Sequence, residues 1–147
     1  MILPEFTIAL KQTNREVADI AKITSSDDAH RIARSLFDPD TIEYRETFHA
    51  IFLNNANEVI GFTEISRGGI TATLVDVRVI FMHALQLPCT AMILTHNHPS
   101  NGDQSNQDVT ITEQIVEAGK VLSIRVFDHI IVKANGKFVS LADQGLI

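Results

Sequence analysis

The stretch Ala91-Met92-Ile93-Leu94-Thr95-His96-Asn97-His98-Pro99-Ser100 decides how this chain is organised. Its first five residues are almost wholly apolar, which predicts a short, central and buried strand. Because side chains alternate along a strand, the imidazoles of His96 and His98 point to one face and Asn97 points to the other. Two neutral imidazoles that converge at a strand end form half of a zinc site. The pair alone is a weak motif, since paired histidines are often surface or hydrogen-bonded residues.

Asp108 offers a third ligand. A catalytic zinc site needs three protein ligands and an open position for water. A helix predicted to begin at Ser105 places this carboxylate in its first turn, where the helix dipole favours the ionised form. The segment Ser105-Asn106-Gln107-Asp108 also resembles a capping box with Ser105 as the N-cap. The local sequence leaves ligation and capping equally open, and one carboxylate oxygen could serve each role.

Hydrophobic periodicity on both sides of this strand predicts an α/β fold. The predicted helices span residues 27–37, 77–87 and 105–122, and the predicted strands span 47–53, 58–66, 91–95, 125–133 and 137–141. Asp76 is the expected N-cap of the second helix, and Asn135-Gly136 is a strong hairpin turn signal. The order αββαβαββ indicates a mixed sheet sandwiched by helices, in two or three layers.

The inner faces of two helices follow from the same periodicity. We expect these apolar residues to face the core: Val77, Ile80, Phe81, Ala84 and Leu85 in the second helix, and Ile111, Ile115, Ala118 and Leu122 in the third.

Length and composition indicate one globular domain. The chain has 147 residues, of which 45% are apolar and 20% charged, and we expect residues 1–22 to form an arm or an edge strand.

The single cysteine, Cys89, allows no internal disulfide and favours a cytoplasmic location and a small, buried apolar role. No signal peptide is expected, and no stretch approaches the roughly 20 apolar residues of a membrane helix. A net charge of -6 without a basic cluster weighs against nucleic acid as the main partner.

The quoted residues resemble a known motif. His96-Asn97-His98-Pro99-Ser100, followed by Ser105-x-x-Asp108, is similar to the JAMM motif of the JAB/MPN metalloproteases, and more narrowly to the RadC family of bacterial proteins. Other parts of the chain that carry this resemblance are Gly68-Gly69 before the second helix, Val77-Arg78-Val79-Ile80-Phe81, Asp128-His129-Ile130-Ile131 and Ser140-Leu141-Ala142-Asp143-Gln144-Gly145. The resemblance covers residues 23–147 and implies the three-layer, cytidine-deaminase-like architecture of JAB/MPN domains, preceded by an arm of residues 1–22.

The resemblance implies a zinc-dependent hydrolase. It implies one zinc ion per chain, held by His96, His98 and Asp108, with water as the fourth ligand. A metallopeptidase or isopeptidase of this kind cleaves an amide bond of a peptide or protein. It also implies a glutamate that acts on the water and a serine near the oxyanion, which Ser105 matches.

We choose Glu46 for the glutamate because it lies just before the first hairpin strand, where the family's acid lies. Glu64, at the far end of the second hairpin strand, is the rival, and Glu43 and Glu58 fit less well. Without the resemblance, an acid beside an arginine at a strand start is more often simply solvated.

The sequence departs from the family pattern in two ways. The loop Pro99 to Gln104 is one residue short, although Asn101-Gly102 tolerates positive φ and lets the loop tighten. Typical RadC proteins also carry a helix-hairpin-helix region ahead of this domain, which we do not expect in a chain of this length.

Two other functions stay open. One is a DNA-repair or mobile-element accessory protein that acts by interaction, for which the family leaves DNA binding open despite the acidic charge. The other is a non-catalytic MPN scaffold, against which the intact ligands argue. His129 is either a partner of a metal ligand or a core hydrogen-bonding residue, and the oligomeric state is left open.

Overall fold

Five strands form one mixed sheet at the centre of the computed structural model, which describes residues 1–7, 9–68 and 74–147. The strands are β1 (Thr47–Leu53), β2 (Val59–Arg67), β3 (Ala91–His98), β4 (Arg125–Lys133) and β5 (Phe138–Ser140). The helices are α1 (Ser26–Leu36), α2 (Val77–Ala84) and α3 (Asn106–Leu122). The order along the chain is the predicted αββαβαββ. Gly69, part of the Gly68-Gly69 pair that carries the family resemblance, lies outside the described residues.

The strand β3 is the middle strand of the sheet, whose order is β2-β1-β3-β4-β5. It pairs antiparallel with β1 and parallel with β4, and the parallel pair is joined through α3, as a parallel connection requires. All of its residues except the last are buried. The prediction of a central, buried strand is therefore confirmed.

The helices cover both faces of the sheet. On one face, Ile32 and Leu36 of α1 belong to the same hydrophobic cluster as Ile51 of β1 and Ile93 of β3. On the other face α2 and α3 pack against a second cluster, which includes Ile80, Phe81, Ile115, Phe48, Phe52, Met92 and Leu94. The molecule is thus a three-layer α/β sandwich, and the metal-site candidates lie on the α2–α3 side.

Side-chain caps start each helix, and Asp76 and Ser105 are the N-caps that the sequence predicts. The N-cap Ser25 accepts from the backbone N–H of Asp28, and Asp76 accepts from that of Arg78. Ser105 and Asp108 form a full capping box at α3. Because these caps satisfy backbone donors that have no partner inside the helix, they set the first residue of each helix.

The chain differs most from the prediction at the ends of β3 and α2 and in the exposure of Leu122. β3 continues through His98, because it pairs with β1 at His96 and with β4 as far as His98. α2 ends at Ala84, where tighter turns lead toward Pro88, and Leu85 is exposed. Leu122 is also exposed, because the chain turns back to β4 at the level of Gly119 and leaves the last turn of α3 beyond the core.

The N-terminal arm joins the edge of the sheet over a short stretch. Lys22 forms an isolated bridge with Glu58, and the backbone N–H of Ile23 donates to the carbonyl of Asn57. This pairing extends the start of β2, so the arm borders the sheet at one corner. In the described ranges, no helix is both long and apolar enough to cross a membrane.

We predict that Gly119→Ala destabilises the fold by about 1–3 kcal/mol, because overpacking forces backbone shifts. A Cβ atom there would overlap the backbone carbonyl oxygen of Ile124, whereas one at Gly61 would meet nothing within 4 Å. Gly61→Ala is therefore the matched control, and urea unfolding of both variants measures the difference. Equal stabilities for the two variants would contradict this packing account.

Candidate metal centre

Three donor groups converge where the carboxyl end of β3 meets the start of α3. Nε2 of His96 lies 2.9 Å from Nε2 of His98. Oδ1 of Asp108 lies 3.1 Å from Nε2 of His96, and its Oδ2 lies 3.3 Å from Nε2 of His98. Strand alternation places the two rings on one face, and the first turn of α3 brings the carboxylate to them.

The donor set fits a tetrahedral metal ion. Ligands that each lie about 2.0–2.1 Å from zinc are about 3.3 Å apart, which is close to the three observed separations. Nδ1 of His98 lies 3.1 Å from the carbonyl oxygen of Gly102, and since a carbonyl only accepts, this nitrogen carries the proton. When the His98 ring holds this one hydrogen, Nε2 carries the lone pair and points at the centre, as a metal ligand must.

Asp108 serves the helix cap with one oxygen and faces a candidate ligand with the other. Its Oδ2 accepts from the backbone N–H of Ser105 at 2.6 Å and from the Ser105 hydroxyl at 2.8 Å. Its Oδ1 faces His96. Capping and a ligand position are thus compatible in one side chain. Burial works against the charged form, but the neighbouring rings of His96 and His98 lower the pKa of Asp108 below its usual range and keep it ionised.

A second histidine lies behind the first ligand. Nδ1 of His96 lies 2.8 Å from Nε2 of His129, and Nδ1 of His129 lies 2.6 Å from Oγ1 of Thr112. Burial lowers the pKa of His129 well below its ordinary value, so the ring is neutral. Both roles left open for His129 fit these contacts, because the ring lies against a candidate ligand and makes buried hydrogen bonds. Sequence analysis missed Thr112, although its place one turn after Asp108 puts it on the same helix face.

Asn97 fastens the strand end to the segment that precedes β1. Its Oδ1 accepts from the backbone N–H of Thr47 at 2.9 Å. Its Nδ2 donates to the carbonyl oxygens of Ile42 at 2.9 Å and Arg45 at 2.8 Å. The side chain points away from the two histidines, as predicted, but this clamp was not predicted. It holds in place the residues on either side of Glu46.

A cavity of about 550 Å³ opens over the donor groups. Glu46 lines it together with His96, His98, Ser105 and Asp108. Extending the β1–β3 register by two residues places Glu46 across from His98. The predicted catalytic and metal-binding residues therefore share one cavity. Within it, burial lowers the pKa of His98, but Asp108 beside it, with smaller contributions from Gly102 and Glu46, raises that pKa above its usual value.

Comparison with known proteins shows the family. The model of a family described as "RadC-like JAB domain" matches residues 23–146. The chain belongs to the RadC family. Similar proteins include a "UPF0758 protein" of Flavobacterium johnsoniae, 36% identical over 146 residues, which covers 99% of this chain and 62% of that relative. Another, of Methanococcoides burtonii, is 39% identical over 83% of this chain and 56% of its own length. A third, of Moorella thermoacetica, is 34% identical over 97% of this chain and 62% of its own length. The chain spans about three fifths of the length of these relatives.

The rival glutamates lie away from this RadC site. Glu64 accepts two hydrogen bonds from Arg67, at 3.0 and 2.9 Å, and pairs across the sheet with His49 on the α1 side. Glu58 lies at the opposite end of the sheet, where it accepts from Asn54. Glu43 is exposed in the turns after α1. Of the four glutamates considered, only Glu46 lines the cavity.

The short loop of this RadC domain is tightened and anchored. Asn101 adopts a φ of 61°, so the expected left-handed turn falls on the asparagine of the Asn-Gly pair. Its Oδ1 accepts from the backbone N–H of Asn135 at 2.9 Å. Lys133, whose side chain is mostly buried, forms an ion pair with Asp103. These contacts to the β4–β5 hairpin hold the loop that leads to Asp108.

We predict that His49 makes the fold sensitive to acid. Burial, only partly offset by Glu64, lowers the pKa of His49 to about 4, below the value of about 6.5 in an unfolded chain. The unfolded state therefore takes up the proton first, and stability falls as the pH drops from about 6.5 toward 4. Between pH 6.5 and pH 5, the free energy of unfolding of the wild type should fall by about 2 kcal/mol more than that of His49→Leu. Urea unfolding in the presence of a metal chelator measures both values.

His83→Gln is the control for this experiment, because His83 lies on α2 and its Nδ1 contacts the carbonyl of Val79. The free energy of unfolding of this variant should fall over this pH range by as much as that of the wild type. An identical pH dependence in wild type and His49→Leu would contradict the account.

Proposed function

We propose that this chain is a zinc-dependent hydrolase of the JAMM type, a metallopeptidase or isopeptidase that cleaves an amide bond of a peptide or protein. The observation that carries the proposal is the convergence of His96, His98 and Asp108 in a cavity that Glu46 also lines. Two imidazoles and one carboxylate are the ligand types of hydrolytic zinc sites, and a glutamate beside them is a suitable base.

The residues divide the work of hydrolysis. A zinc ion held by His96, His98 and Asp108 would supply a Lewis acid and make water reactive near neutral pH. The carboxylate of Glu46 takes a proton from the attacking water and delivers it to the departing amine nitrogen. Glu46 lines the same cavity as the three candidate ligands, and the extended β1–β3 register places it across from His98.

Ser105 can stabilise the carbonyl oxygen only after its hydroxyl turns. The hydroxyl donates to Oδ2 of Asp108 and accepts from the Asp108 backbone N–H. The Ser105 backbone N–H also binds that oxygen, at 2.6 Å. Rotation of the hydroxyl toward a substrate oxyanion therefore leaves Asp108 held by the backbone, and the freed O–H becomes a transition-state donor.

The charges of the cavity support a peptide rather than a nucleic acid as substrate. Glu46, Asp103 and Asp108 line it, and the lining residues that the structure describes include no lysine or arginine. Phe48 and Ile111 add apolar surface. Phosphate groups are bound by cationic side chains, so this surface favours an uncharged amide. The DNA-related alternative gains no support from the described part of the chain.

We expect the double variant His96→Ala/His98→Ala to lose zinc, since two of three ligands are removed. Mass spectrometric metal analysis after dialysis should give one zinc ion per wild-type chain and almost none per variant chain. His83→Ala, which removes a histidine on α2, is the control and should keep the metal. Unchanged stoichiometry in the double variant would rule out this ligand assignment.

We expect Glu46→Gln to keep zinc but lower kcat about 10²–10⁴-fold, because the amide cannot take up the proton. The substrate for this assay is a peptide found by screening the zinc-loaded wild-type chain against a peptide library. Glu64→Gln makes the same change on the opposite face of the sheet and should leave kcat near wild type. Wild-type turnover by Glu46→Gln, or an equal loss in both variants, would overturn the role of Glu46.

A further inference from the structure

A chain of three short contacts connects two of the candidate metal ligands behind the cavity. It runs from the carbonyl oxygen of Asp108 to Oγ1 of Thr112 at 2.6 Å, then to Nδ1 of His129 at 2.6 Å. From Nε2 of His129 it reaches Nδ1 of His96 at 2.8 Å. The members come from α3, β4 and β3, and Thr112 and His129 are fully buried. No water can therefore substitute for a missing partner at low cost.

The proton positions along this chain follow from its first contact. A carbonyl oxygen only accepts, and an oxygen–oxygen separation of 2.6 Å requires a hydrogen between the atoms. Thr112 has one hydroxyl hydrogen, which goes to Asp108, so its oxygen must accept from Nδ1 of His129. A buried, neutral His129 then has a bare Nε2, which accepts from Nδ1 of His96. The remaining nitrogen of a neutral His96, Nε2, carries a lone pair.

We infer that Thr112 and His129 are positioning residues that fix His96 in the tautomer whose Nε2 binds a metal. The inference rests on the proposed zinc site. The opposite tautomer would place a hydrogen on Nε2 of His96, 2.9 Å from Nε2 of His98, and block the ligand position. Phe48 contacts both rings, stacked on His96 and edge-on to His129, so the rings cannot rotate freely to restore the arrangement.

The matched variants are Thr112→Val, Thr112→Ser and Thr110→Val. Thr112→Val keeps the side-chain shape but removes the oxygen that accepts from His129, and zinc affinity should fall about 10–100-fold. Thr112→Ser keeps the oxygen and should bind zinc nearly as wild type does. Thr110 makes the same kind of hydrogen bond, from its hydroxyl to the carbonyl oxygen four residues before it, that of Asn106, at 2.9 Å. Its side chain is exposed, however. Thr110→Val should therefore leave zinc affinity unchanged, as measured by competition with a chromophoric chelator.

Nitrogen-15 NMR of the histidine rings gives a readout that a general loss of stability would not move. In the wild-type chain, with or without zinc, His129 should carry its proton on Nδ1 and have a bare Nε2. In Thr112→Val the proton should move to Nε2. Recovery of the wild-type pattern in Thr112→Ser would support the inference.

Three results would overturn it. The first is a wild-type zinc affinity in Thr112→Val, and the second is an equal loss of zinc affinity in Thr110→Val. The third is a wild-type His129 that is protonated on Nε2. If the wild-type chain bound no zinc, the proposed function would fail, and the NMR measurement on the metal-free chain would still decide the tautomer.

Discussion

Two imidazole nitrogens held 2.9 Å apart are the feature on which the rest of this site depends. Two nitrogen lone pairs at that distance repel each other unless a cation or a proton lies between the two nitrogens. The sheet imposes the approach, because His96 and His98 are two residues apart on a strand paired on both sides. Nδ1 of each ring is engaged, by His129 and Gly102 respectively. With a cation bound, both Nε2 lone pairs and the carboxylate of Asp108 would face one positive centre, which is the basis of the proposed zinc site.

The same residues that start α3 complete the site. Ser105 and Asp108 cap the helix, and Asp108 also presents an oxygen to His96. The first backbone N–H groups of α3 need hydrogen-bond partners, and this need fixes where the helix starts. The position of the Asp108 carboxylate beside His96 follows from that start. The shortened loop is compatible with this arrangement because Asn101 takes a left-handed conformation and contacts Asn135.

Sequence reasoning succeeded where local rules decide the structure. Strand alternation placed His96 and His98 on one face, and capping side chains marked the helix starts. The choice of Glu46 came from family resemblance, since only the β1–β3 register places it by His98. The roles of Asn97 and Thr112 were missed because their partners, such as Ile42 and His129, are distant in sequence. The exposure of Leu122 likewise depends on where the chain turns back, which periodicity alone does not show.

The central claim is that these three residues form one metal site. A crystal structure of the zinc-loaded chain, with anomalous data collected at the zinc edge, tests it most directly. The account predicts one strong anomalous peak about 2.0–2.2 Å from Nε2 of His96, Nε2 of His98 and Oδ1 of Asp108. A peak held by other residues, or none at this position in zinc-saturated crystals, would contradict it.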